Sequence, residues 1–100
     1  MRQCRITVLK CMFDRELKEK YIPDPDYGPC PYFDPGDVFL SRDGRQPAGF
    51  ACQIGWRSIR EEVRNMLRPD SMFPDGMPHV VCCNDGCRPV IFLLEAQETL

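Results

Sequence analysis

Between Arg2 and Met12 apolar and polar positions alternate, with Cys4, Ile6 and Val8 on one side and Arg5 and Thr7 on the other. A period of two is that of a strand with one buried face. From Phe13 the period changes. Phe13, Leu17 and Tyr21 recur every four residues, and Glu16 stands four before Lys20, which predicts a short helix ending ahead of Pro23. The segment IPDPDYGPCPYFDPG is too rich in proline for either regular state and reads as a loop wrapped onto the body. Asp37 to Ser41 predicts a strand, and RDGRQPAG a turn. Trp56, Ile59, Val63, Met66 and Leu67 then share one helical face. Ser58 and Glu61 match a capping box, so this helix is expected to begin at Ile59, with Cys52 to Arg57 leading into it and Pro69 ending it. PDSMFPDGMP reads as a loop.

The chain then closes on a hairpin, His79 to Cys83 and Arg88 to Glu95 around a turn. In its second arm Val90, Phe92 and Leu94 oppose Ile91 and Leu93, so both faces are apolar. Such a strand is expected at the centre of a sheet, under a helix. Without internal repeats or low-complexity tracts, residues 1–100 predict a single α+β domain: an antiparallel sheet with a C-terminal hairpin and one main helix packed on it.

Composition narrows the function classes. A hydrophobic fraction of 43% and a charged fraction of 28% are those of an ordinary globular chain. The net charge of −2 argues against nucleic acid as the main partner, because phosphate contacts need a basic surface. The apolar run Val90 to Leu94 is too short to cross a bilayer, and MRQCRITVLKC lacks the apolar segment and small-residue cleavage site of a signal peptide. A cytoplasmic location is therefore expected.

Seven cysteines are many for such a compartment, and an odd number in a reducing environment disfavours structural disulfides. Three of them surround one turn, in VVCCNDGCRPV. Asp85-Gly86 is a hairpin signal: a two-residue type I′ turn would place Asn84 opposite Cys87, a three-residue loop Cys83 opposite Cys87. The Cys83-x₃-Cys87 spacing suits a zinc knuckle, but no second close pair exists, so further ligands must be isolated residues. Cys30 (GPCPYF) and Cys52 (ACQIGW) sit in turn-like contexts that can present sulfur. Cys82 should face the opposite side of the sheet from Cys83, and Cys4 and Cys11, seven apart, opposite sides of their strand.

CRITVLK, GPCPYFDPGDVF, CQIGWRSI and CCNDGCRPVIFLLE together resemble a family of small cysteine-containing proteins, about 100 residues long, from anaerobic bacteria and archaea. The resemblance covers nearly the whole chain. It points to Cys30, Cys52, Trp56, Cys82, Cys83, Asp85, Gly86, Arg88 and Pro89 as the family's positions and leaves Cys4, Cys11 and Cys87 as additions of this chain. It implies no established activity, and its anaerobic association favours iron–sulfur over zinc.

The leading expectation is thus a metal or iron–sulfur centre (or Zn) on Cys30, Cys52 and Cys83, with Cys82 or Cys87 as fourth ligand, in an accessory to a redox pathway. The alternative is a cofactor-free protein-interaction module whose cysteines pack as small hydrophobes. The third is a thiol enzyme or redox sensor on Cys83, activated by Arg88. His79 lies ~13 Å along a strand from Cys83, too far to act as its base. Arg57, Arg60, Arg64 and Arg68 line one helix flank and read as a solvated face beside Glu61 and Glu62. Trp56 and Phe50 read as core. Gly28, Gly36, Gly44, Gly49 and Gly76 lack phosphate-loop spacing, and Asp24, Asp26, Asp34 and Asp37 match no calcium loop.

Overall fold

A computed structural model describes residues 2–73 and 77–98. The centre of the loop expected over PDSMFPDGMP, residues 74–76, lies outside them. The element order is β1 (Arg2–Cys11), α1 (Arg15–Tyr21), β2 (Val38–Ser41), α2 (Gln53–Leu67), β3 (Pro78–Cys82) and β4 (Val90–Glu98). The strands form one antiparallel sheet in the order β2-β1-β4-β3. This is the expected α+β architecture, with β4 in the interior of the sheet.

The alternation in β1 and β4 decides which face is inside. Cys4, Ile6 and Val8 lie in register with Ala96, Leu94 and Phe92, and all six are buried. Against them α2 lays Trp56, Ile59, Val63 and Met66, the stripe expected from its spacing. Phe92 meets Phe33 edge-on, with ring centroids 5.4 Å apart, and Phe50 at 5.8 Å; Phe50 in turn contacts Trp56 at 5.8 Å. This aromatic group draws the proline-rich loop, through Phe33, into the same core.

Local chemistry moves one boundary and inverts one face. Helix α2 begins at Gln53, six residues before the expected Ile59. The Cys52 sulfur takes the N-cap role, accepting from Gly55 N at 3.3 Å, and the Ser58 hydroxyl instead donates to Ile54 O at 2.8 Å within the helix. Strand β1 contains a bulge: Val8 opposes Phe92 but Lys10 opposes Ile91, so Leu9 is the extra residue. One inserted residue inverts the parity of everything after it. Cys11 therefore faces the core like Cys4, not the opposite side.

The hairpin uses neither tight turn. Cys83 pairs with Val90 through Cys83 N and Val90 O at 3.1 Å, and Gly86 is absent from the positive-φ glycines, which are Gly36, Gly44 and Gly49. The Asp85 carboxylate supplies the turn instead, accepting from Cys87 N at 3.1 Å and Arg88 N at 3.2 Å. Pro89 has no N–H to extend the ladder toward the turn.

The short helix α1 carries no buried residue. It is held at its start, where Asp14 N donates to Cys87 O at 2.8 Å and the Asp14 carboxylate caps Leu17 N at 3.0 Å.

Phe92 is the side chain on which sheet, helix and loop converge. Phe92→Ala should lower the unfolding free energy by about 3–5 kcal/mol, read from chemical denaturation, whereas Leu17→Ala on half-exposed α1 should change it far less.

Candidate functional site

The thiols differ in burial and in hydrogen bonding. Cys4 is fully buried, and burial pushes its thiol up to about 12. Cys11, on the core face, donates to Phe33 O at 3.3 Å. Its thiol is raised by burial and further by the nearby Cys30, Asp34, Asp37 and Cys83. Cys83 accepts from Val90 N at 3.3 Å, and Cys87 donates to Asp14 O at 3.4 Å. Cys11, Cys30, Cys52 and Cys83 all pack against the core as partly buried side chains. Cys82 is exposed and pairs with Ile91 on the opposite sheet face from Cys83, as its alternation required.

Cys11 lies outside the expected ligand set but shares a cross-strand row with one of its members, Cys83. Cys11 and Cys83 flank Val90 in one cross-strand row. Their backbones are thus two strand spacings apart, roughly 10 Å, with the wholly buried Val90 side chain between them. A tetrahedral zinc–thiolate site needs sulfurs about 3.8 Å apart. Cys87 is turned away toward α1, and Cys82 toward the other face. Among the described residues, no three Cys, His, Asp or Glu side chains are gathered closely enough to hold a metal ion. Two open grooves of about 350 and 440 Å³ indent the surface, and no cysteine lines either.

Arg88, expected beside a thiol, is the centre of a clasp. Its Nε meets Asp85 Oδ2 at 3.1 Å, its Nη1 donates to Gly28 O at 3.3 Å, and its guanidinium carbon lies 4.2 Å from the centre of the Tyr27 ring. The Tyr27 hydroxyl reaches both Asp85 oxygens at 3.4 Å. A planar guanidinium can stack and donate at once, which lysine cannot do. The clasp thereby fastens the proline-rich loop to the β3–β4 connection. Partial burial alone would raise the Asp85 carboxyl. The hydrogen bonds from Arg88 and Cys87, with the attraction of the guanidinium, outweigh it and hold the carboxyl below its ordinary value. The resemblance marked Asp85 and Arg88, and its GPCPYFDPGDVF motif begins at Gly28; Tyr27 carried no such mark, and only the three-dimensional contact identifies it.

His79 bonds Glu62 Oε2 through Nε2 at 3.0 Å and stacks near Phe73 at 4.5 Å, tying β3 to α2. The arginines of α2 are exposed; Arg64 nevertheless donates to Gly44 O at 3.2 Å, and Arg68 pairs with Asp70 at 3.4 Å.

The feature that motif reading missed is the sheet face opposite α2. On it lie Val38 and Leu40 of β2, Thr7 of β1, Ile91 and Leu93 of β4 and Val80 of β3. Val38 is 53% exposed, Leu40 43% and Val80 59%. Arg5 and Glu95 sit among them, joined at 3.1 Å. The signal was present in β4, whose second apolar face was expected to lie buried. The structure leaves that face without a covering element of this chain among the described residues.

No family model matches the chain, and no curated protein and no solved structure matches it. No helix among the described residues is long and apolar enough to cross a membrane.

Two titrations test these assignments. Because Asp85 is held below the ordinary carboxyl value of 3.8, the unfolded chain takes up the proton first on acidification. The clasp's contribution should be complete above that pH and lost as pH falls through the folded value; Asp85→Asn should flatten this part of the stability profile. Cys4 has the opposite sign. Its contribution should be complete below pH 9 and decline from there toward 12, and native protein should leave Cys4 unalkylated at neutral pH until it unfolds.

Proposed function

We propose that this chain is a protein-interaction module that docks through the sheet face opposite α2. The observation that carries the reading is an apolar patch, exposed Val38, Leu40 and Val80 around half-buried Ile91 and Leu93, on a four-stranded sheet whose other face already holds the core. Contiguous exposed apolar surface on an otherwise ordinary domain marks an interaction site. The reading needs no cofactor. Cys11, Cys52, Cys83 and Cys87 each have a backbone hydrogen-bond partner, and Cys4 is interior.

A fluorescent apolar dye tests the patch. In dilute solution it should bind the wild type, and Val80→Lys and Leu40→Lys should weaken binding severalfold while leaving the unfolding free energy within about 0.5 kcal/mol, as for exposed positions. Equal dye binding by all three proteins would overturn the reading. Elemental analysis of protein purified without oxygen tests the metal reading on Cys30, Cys52 and Cys83 with Cys82 or Cys87. Stoichiometric iron or zinc, lost in Cys30→Ser, would replace the cofactor-free reading with it.

A further inference from the structure

The pattern of residues on the open face points to its occupant: we infer that the face binds a second copy of this chain, sheet against sheet, about a two-fold axis parallel to the strands between β1 and β4. The inference rests on the docking reading above and names the partner.

The argument is one of register. Two four-strand rows cross the face, Leu40–Arg5–Glu95–Pro78 and Val38–Thr7–Leu93–Val80, each running from β2 through β1 and β4 to β3, and a shorter row, Lys10–Ile91–Cys82, crosses β1, β4 and β3 beside them. A two-fold axis between the central strands superposes β1 on the partner's β4 and β2 on the partner's β3. Each row then meets itself reversed. Arg5 faces the partner's Glu95 and Glu95 the partner's Arg5, so the only opposed charges in these rows meet as two attractive pairs. Val38 faces the partner's Val80, Leu40 the partner's Pro78, and Thr7 the partner's Leu93. In the two four-strand rows every apolar position meets an apolar or small partner and no like charges meet; in the third row Ile91 meets the aliphatic stem of the partner's Lys10, whose ammonium reaches the rim. An isologous interface requires this self-complementarity of one patch, and sheets packed face to face keep their strands within about 30° of each other.

The charged pair also has a local reason to accept burial. Arg5 and Glu95 already bond within one chain at 3.1 Å, with Glu95 a quarter exposed. A second pair across the interface gives each charge a further partner, without which burial would be costly. Four strands at ~4.8 Å spacing give a face roughly 19 Å wide. Two such faces bury on the order of 1,000 Å² in total, the lower bound for a specific interface, so the dimer should dissociate on dilution.

Sedimentation velocity over a micromolar-to-millimolar concentration series tests the proposal, with wild type, Val80→Lys, Arg5→Glu, Glu95→Arg and the double swap. The expected result is a concentration-dependent dimer. Either charge reversal should raise its dissociation constant at least tenfold, the double swap should restore it to within a few fold, and Val80→Lys should abolish association. Circular dichroism of each variant confirms folding; because Val80 is exposed, its variant keeps the test decisive if a charge reversal misfolds.

A dimer indifferent to Val80→Lys and Arg5→Glu would use another surface and overturn the inference. A wild type that stays monomeric to millimolar concentration would overturn it too. Dye binding separates the two failures: a monomer whose dye binding is lost in Val80→Lys keeps a docking face with a different partner, while a monomer whose dye binding is unchanged loses both readings.

Discussion

The antiparallel pairing of β1 with β4 is the constraint on which the rest depends. It joins Arg2 to Glu98 across the length of the chain and sets Cys4, Ile6 and Val8 beside Ala96, Leu94 and Phe92. Because side chains alternate strictly along paired strands, this register also fixes what points the other way: Arg5 and Thr7 beside Glu95 and Leu93. Core and open face are consequences of one alignment. A slip of β1 by one residue would turn its side chains over, carrying Arg5 and Thr7 beneath α2 and Ile6 to the open face.

Where alternation and helical spacing are regular, the sequence was legible. The core stripe of α2, the buried side of β1 and the interior place of β4 could all be read from spacing. The errors fall at single-residue chemistry. The Leu9 bulge reverses the side on which Cys11 emerges, and no residue type announced it. Cysteine is not an obvious N-cap, so the Ser58–Glu61 pair suggested a later start for α2. Asp85-Gly86 looked like a tight turn, yet the carboxylate of Asp85 and the missing N–H of Pro89 favour a wider connection. The two-sided apolarity of β4 was visible, but burial beneath a second layer and attachment to another molecule leave the same trace in sequence.

The thiols illustrate why residue type and spacing underdetermine a site. Three cysteines within VVCCNDGCRPV suggested convergent sulfur. Strand geometry disperses it: Cys82 to the open face, Cys83 to the core beside Val90, and Cys87 to the start of α1. Cys83 accepts one weak hydrogen bond from the backbone and Cys87 donates one to it, at 3.3 and 3.4 Å. The same economy holds at the clasp, where Arg88 spends its donors on Asp85 and Gly28 and its flat face on Tyr27, securing the loop that delivers Phe33 to the core.

The central claim, that this sheet face is completed by another copy, is most directly tested by nuclear Overhauser contacts filtered for transfer between differently labelled chains. Val38 and Val80 stand on opposite edges of the sheet, three strand spacings or about 14 Å apart, too distant to be neighbours within one molecule. In an equal mixture of two isotope-labelled forms at millimolar concentration, the account predicts a methyl contact between Val38 of one chain and Val80 of the other. Complete absence of such a contact, with both methyl groups remaining open to solvent, would contradict it.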